Sequence, residues 1–126
     1  MTDSSKTVLL VEDDRFLSSL LKNRLTKEGV NVLYAEDGEV ALQILRDQRV
    51  DLVLLDIILP KKSGFEVLEE IQQNPLLKNG PVIIISNLGQ EGDMARGKEL
   101  GAIEYFVKAQ TSIDDLVKKI KEFIQA

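Results

Sequence analysis

Short, wholly apolar runs alternate along the chain with segments whose apolar residues recur every three or four positions. Thr7–Val11, reading Thr-Val-Leu-Leu-Val, is the first such run and predicts a strand buried on both faces. Asp14 then caps a helix that places Phe16, Leu17, Leu20, Leu21 and Leu25 on one stripe, and Gly29 stops it. Val30–Ala35 predicts a second strand, weakened by Asn31, and Asp37 opens a helix through Val40, Ala41, Ile44 and Leu45. Asp51–Leu55 predicts a third strand that ends directly at Asp56. Ser63 and Glu66 form a capping box for a helix through Phe65, Val67, Leu68 and Ile71, with Pro75 just beyond. Asn79-Gly80-Pro81 turns the chain into a fourth strand, Val82–Ile85. A glycine-dotted segment, 92–101, precedes a fifth strand at Glu104–Val107. The last helix carries Ile113, Leu116, Val117, Ile120, Phe123 and Ile124, the cleanest helical spacing in the chain.

Five strand–helix pairs with apolar strands predict an α/β fold: a doubly wound, five-stranded parallel sheet covered on both faces. In such a sheet the functional crevice lies beyond the carboxyl ends of the strands, where the winding reverses. The 126 residues predict one domain, spanning 1–126, large enough for a core without staples.

Composition removes several chemistries. With no cysteine and no histidine, the chain has no disulfide, no thiolate nucleophile, no imidazole base and none of the usual zinc ligands. Its 21 acidic against 16 basic residues give a net charge of −5, which argues against direct nucleic-acid contact. The apolar runs are too short to span a membrane, and the polar start lacks a secretory pattern, so a cytoplasmic protein is expected.

Chemistry gathers at the predicted strand ends. The first strand ends in Glu12-Asp13-Asp14, the third in Asp56, the fourth in Ser86 and the fifth in Lys108. Asp14 is assigned to helix capping; the others aim carboxylates, a hydroxyl and an ammonium at one rim. Two carboxylates about 5 Å apart repel by roughly 3 kcal/mol at an effective dielectric near 20, so Glu12, Asp13 and Asp56 need a cation. Lys108 offsets one charge, and a hard divalent ion such as Mg²⁺ suits the rest. Neither glycine-rich nucleotide motif, G-x-x-x-x-G-K-[ST] or G-x-G-x-x-G, occurs. The set instead suits covalent phosphoryl transfer onto a carboxylate, with Mg²⁺ and Asp56 meeting the phosphoryl group and Ser86 and Lys108 pairing with its oxygens.

From Val8 to about Ile124 the chain resembles the receiver domains of two-component response regulators. Leu-Leu-Val-Glu-Asp-Asp at 9–14, Leu-Leu-Asp at 54–56 followed by Leu59-Pro60 and Gly64, Ser86, and Tyr-Phe-Val-Lys at 105–108 carry the resemblance. It implies a flavodoxin-like strand order 2-1-3-4-5. It implies Asp56 as phosphoacceptor, with Glu12, Asp13, Asp56 and the backbone carbonyl of Ile58 holding Mg²⁺. Ser86 matches the switch hydroxyl, Tyr105 the switch aromatic and Lys108 the phosphate-pairing lysine. A histidine kinase or phosphotransfer protein is the implied donor, and a downstream protein or a fused output domain the implied target. The domain would be a monomer or a phosphorylation-dependent dimer. It would not be a turnover enzyme, although it would catalyse its own phosphorylation and dephosphorylation.

Three departures from the family pattern matter. Ala109 stands where proline is usual, so the Lys108–Ala109 bond is expected to be trans. Asn87 replaces a small residue. Leu88 and Ile58 are apolar beside the site and are expected to shield an acyl phosphate from water. Gly89, Gly92 and Gly97 predict a marginal, easily shifted fourth helix, Gly101 before the fifth strand reads as a turn or close-packing glycine, and Lys118, Lys119 and Lys121 read as a solvated face or part of a partner surface. The alternative is a phosphorylation-independent pseudo-receiver that acts as a protein-interaction module. A phosphatase with an aspartate nucleophile would need an acid two residues on, where Ile58 stands.

Overall fold

The strands and helices alternate in the order β1 (Thr7–Val11), α1 (Arg15–Lys27), β2 (Asn31–Ala35), α2 (Gly38–Asp47), β3 (Leu52–Leu55), α3 (Gly64–Gln73), β4 (Val82–Ser86), α4 (Glu91–Glu99), β5 (Glu104–Val107) and α5 (Ile113–Ile124). This computed structural model describes residues 5–77 and 80–125, so Asn79 of the expected turn lies outside the described residues. Short 3-10 turns cover Pro75–Leu77 and Lys108–Gln110.

All strand pairs are parallel and the sheet order is β2-β1-β3-β4-β5. Alternate side chains of each strand leave the sheet on opposite faces, which explains why the central strands are apolar at nearly every position while the edge strands β2 and β5 admit Asn31 and Glu104. Leu9, Val11, Val53, Leu55 and Ile84 pack with Ala41, Leu42 and Leu45 of α2 and Phe65, Leu68 and Ile71 of α3. Val8, Leu10, Leu52, Leu54, Ile83 and Ile85 pack with Leu21 and Leu25 of α1 and Leu116, Val117 and Ile120 of α5. The chain leaves β1 towards β2 and then crosses back to β3, so the winding reverses between the carboxyl ends of β1 and β3.

The expected stops and starts have local causes. Asp14 accepts from the N–H groups of Phe16 and Leu17, and Asp37 from Val40 N–H. Ser63 and Glu66 close the reciprocal capping box. Gly29 adopts φ +83°, with Gly29 N–H donating to Thr26 O and Val30 N–H to Leu25 O, the paired bonds of a left-handed helix stop.

Three details correct the expectations. Val30 is spent on the α1 stop, so β2 begins at Asn31; β3 begins at Leu52, and the Asp51 carboxylate takes the Thr7 N–H at 2.7 Å. Phe16 is not on the buried stripe of α1 but 79% exposed. Ser18, Leu21 and Leu25 hold the inner side, and Phe16 lies two residues, about 200° of helical rotation, from Ser18. Val40 and Phe123 likewise sit at the edges of their stripes, 39% and 36% exposed.

Candidate functional site

Glu12 follows the last residue of β1, Asp56 the last residue of β3, and Lys108 the last residue of β5, while Ser86 closes β4. The parallel register therefore brings residues from four strands to one rim. Glu12, Asp56 and Ser86 are buried, at 0%, 3% and 0% exposure, whereas Asp13 is exposed. One carboxylate oxygen from each of Glu12, Asp13 and Asp56 lies within 4.8 Å of the others.

Lys108 closes the cluster. Its Nζ stands 2.7 Å from Asp56 Oδ2 and 2.7 Å from Glu12 Oε1. No cis peptide bond occurs among the described residues, Lys108–Ala109 included, and the lysine still spans both carboxylates. Burial would depress the lysine's pKa, but the hydrogen bond to Asp56 and the adjacent Glu12 carboxylate outweigh it and hold the ammonium above its usual value.

Glu12 shows the opposite balance. Burial pushes its carboxyl up to about 7, against the pull of Lys108 and of Asp14 N–H, and the nearby Asp56 charge adds to the rise. Glu12 Oε2 accepts from Asp14 N–H at 3.0 Å. Oε1 is buried without a hydrogen bond of good angle; Lys108 meets it as a charge only. A buried, under-coordinated carboxylate oxygen grouped with two further carboxylates is an all-oxygen donor set, which fits a hard divalent cation.

The flanking groups are held by the backbone. Ile58 N–H donates to Asp56 Oδ1 at 3.1 Å, which fixes the loop carrying the Ile58 carbonyl, and the Ile58 side chain is 55% exposed. Ser86 Oγ accepts from Leu88 N–H at 3.3 Å. Tyr105 already points inward, 6% exposed, and its hydroxyl donates to the Leu88 carbonyl. Leu88 is half-buried and packs against the core. Asn87 is exposed.

Two contributors escaped sequence reasoning. Tyr34 donates from its hydroxyl to the Glu12 carbonyl at 2.7 Å. Lys61 adopts φ +67° in the loop after β3, with its ammonium 3.9 Å from the buried Asp37 and 4.0 Å from Glu39. A left-handed lysine has no sequence signature; the polar tip of Tyr34 within the apolar part of β2 was the only available signal for the other.

Residues 8–121 match the family described as the response regulator receiver domain. The transcriptional regulatory protein CpxR of Klebsiella pneumoniae subsp. pneumoniae (strain HS11286) is 46% identical over 118 residues, which are 94% of this chain and 49% of CpxR. The chain thus spans about half the length of the curated relatives it matches. Among solved structures, the phosphorylated cyanobacterial phytochrome response regulator RcpA superposes with a TM-score of 0.84 at 34% identity, covering 94% of this chain and 93% of that one. The Mn²⁺-bound response regulator Rcp1 does so at 0.82 and 36% identity, covering 94% and 93%. No helix among the described residues is long and apolar enough to cross a membrane.

Proposed function

The chain belongs to the response regulator receiver domain family, and on that premise we propose that it is a signalling switch whose Asp56 accepts a phosphoryl group from a histidine kinase or phosphotransfer protein. One observation carries the reading: the buried Asp56 carboxylate stands at the point where the winding reverses, grouped with Glu12 and Asp13 and 2.7 Å from the Lys108 ammonium. The phosphorylated RcpA and the Mn²⁺-bound Rcp1, each more than 30% identical over nearly the whole chain, support the same chemistry here.

An Asp56 oxygen attacks the donor phosphorus as the bond from phosphorus to the donor's imidazole nitrogen breaks. The departing imidazole keeps that electron pair and takes up a proton from solvent. Lys108, already between Glu12 and Asp56, exchanges part of its carboxylate contact for a phosphoryl oxygen. Ser86 accepts from Leu88 N–H and keeps its own proton to donate to another phosphoryl oxygen. Glu12, Asp13 and Asp56, with the Ile58 carbonyl, would hold Mg²⁺, which when bound neutralises the negative charge collected around the transferring group. The same groups serve hydrolysis, in which a water oxygen attacks phosphorus, the bond from phosphorus to the Asp56 oxygen breaks and inorganic phosphate leaves, so the domain is a self-modifying acceptor and not a turnover enzyme.

The output follows from covalent continuity. Ser86 and the Leu88 carbonyl held by Tyr105 lie two residues apart, so a shift of Ser86 towards the phosphoryl group is passed to Tyr105 and on to α4. A partner protein or an output domain reads that displaced surface. The test is intact mass after incubation with Mg²⁺ and acetyl phosphate. The wild-type chain gains one phosphoryl group and Asp56→Asn gains none; a wild-type chain left unmodified by both acetyl phosphate and a phosphorylated kinase overturns the reading.

A further inference from the structure

The Glu12 carbonyl belongs to the peptide that joins Glu12 to Asp13, the two acidic residues of the pocket at the end of β1. The paired register of β1 and β2 ends at Val11 and Ala35, and Glu12 N–H makes the last backbone bond, to Ala35 O at 3.0 Å. Beyond Ala35 the chain turns at Asp37 to cap α2, so the ladder offers the Glu12 carbonyl no further N–H. Tyr34 supplies the missing donor: its hydroxyl lies 2.7 Å from the Glu12 carbonyl, across 22 residues of sequence.

We propose that Tyr34 is a positioning residue for the acidic pocket, its phenol holding the Glu12–Asp13 peptide plane so that both carboxylates face Asp56. The Glu12 N–H lies in the preceding peptide, where Ala35 O holds it, so the Glu12–Asp13 peptide is held to β2 by the Tyr34 bond and cannot rotate without breaking it at a fully buried residue. On its outer side Tyr34 borders a surface cavity of about 270 Å³, lined also by Arg15, Ser18, Lys22 and Glu36. The ring packs against the cluster under α1 and α5, and phenylalanine preserves this packing while deleting only the donor.

The inference rests on the reading that this pocket holds a divalent cation, and the test separates the two. Mn²⁺ binding to the full chain is followed by electron paramagnetic resonance of the free ion, for wild type and Tyr34→Phe. Phosphorylation by acetyl phosphate is then timed at limiting and at saturating Mg²⁺. Losing a group that orients metal ligands typically weakens metal binding by about tenfold or more, and that loss is expected here. Phosphorylation by the variant should be slow at limiting Mg²⁺ and recover at saturation. Equal Mn²⁺ affinity in the two proteins overturns the role of Tyr34 and leaves the proposed function standing. A variant slowed equally at limiting and saturating Mg²⁺ also overturns it, because the phenol then serves the fold alone. A wild-type chain that binds no Mn²⁺ overturns the cation reading and this inference together.

Discussion

The ring of Tyr105 lies directly against Gly97 of α4: a methyl group on Gly97 would stand 3.1 Å from Tyr105 Cδ2 and 2.5 Å from Ile84 Cδ1. The glycines of this segment therefore differ in kind. Gly97 is buried for close packing, whereas Gly92 faces open space. Gly97→Ala should destabilise the chain by about 1–3 kcal/mol through overpacking. Gly92→Ala should stabilise it by up to about 1 kcal/mol through helix propensity. Urea unfolding of both variants checks the opposite signs; two stabilising alanines would show that Gly97 is not a packing residue.

Among the described residues, Lys108 supplies the ammonium that two buried carboxylates share. Lys108→Ala leaves them facing each other, and it should cost about 2–3 kcal/mol in metal-free protein, somewhat less than breaking a fully buried pair because Glu12 can take up a proton. Saturating Mg²⁺ should return part of that loss. Unfolding midpoints with Mg²⁺ and with a chelator measure both effects. A variant as stable as wild type without metal would mean that the carboxylates do not depend on the lysine.

Ile58 and Leu88 should separate when made polar. Ile58 is largely exposed beside Asp56, so Ile58→Asn should shorten the lifetime of the phosphorylated form severalfold with little change in melting temperature. Leu88 packs on the core, so Leu88→Asn should chiefly lower the melting temperature. Loss of label from protein phosphorylated in advance, set beside thermal melts, distinguishes the two. An unchanged lifetime in Ile58→Asn would remove its shielding role.

The Tyr105 phenol is held above its usual pKa of 10 by burial, with Asp93 and Asp56 adding to the rise and the Ser86 hydroxyl opposing it. An acid whose folded pKa is raised contributes stability in full below its unfolded pKa, here about 10, and loses it as pH climbs through the folded value. In Tyr34→Phe, where Tyr105 is the remaining tyrosine, ultraviolet phenolate absorbance should therefore appear above pH 10 and coincide with loss of structure. A phenolate that forms at or below its ordinary pKa in folded protein would contradict the inward, hydrogen-bonded ring.

The layered sheet was readable from the sequence because strands buried on both faces must be apolar at every position, and Thr7–Val11 and Val82–Ile85 have that character. The site was readable for a related reason. Glu12, Asp56, Ser86 and Lys108 each break an apolar run at its carboxyl end, and a parallel sheet aligns those ends. Phe16 was misplaced because a stripe of period 3.6 is poorly defined in the first turn of a helix, where few neighbours establish its phase. The glycines of α4 could not be sorted either, since nothing local distinguishes a glycine over open space from one beneath Tyr105.

Sequence alone determined the order of strands and helices, the caps that begin and end several of them, and the residues available at the rim. These are local properties, set by side-chain periodicity and by hydrogen bonds that span a few positions. Tertiary structure alone decided that Lys108 touches both Glu12 and Asp56, and that Tyr34 holds the peptide between Glu12 and Asp13. The Lys108–Asp56 and Tyr34–Glu12 bonds join residues 52 and 22 positions apart. Their geometry depends on strand register, twist and side-chain rotamer together, which no pattern along a single chain encodes.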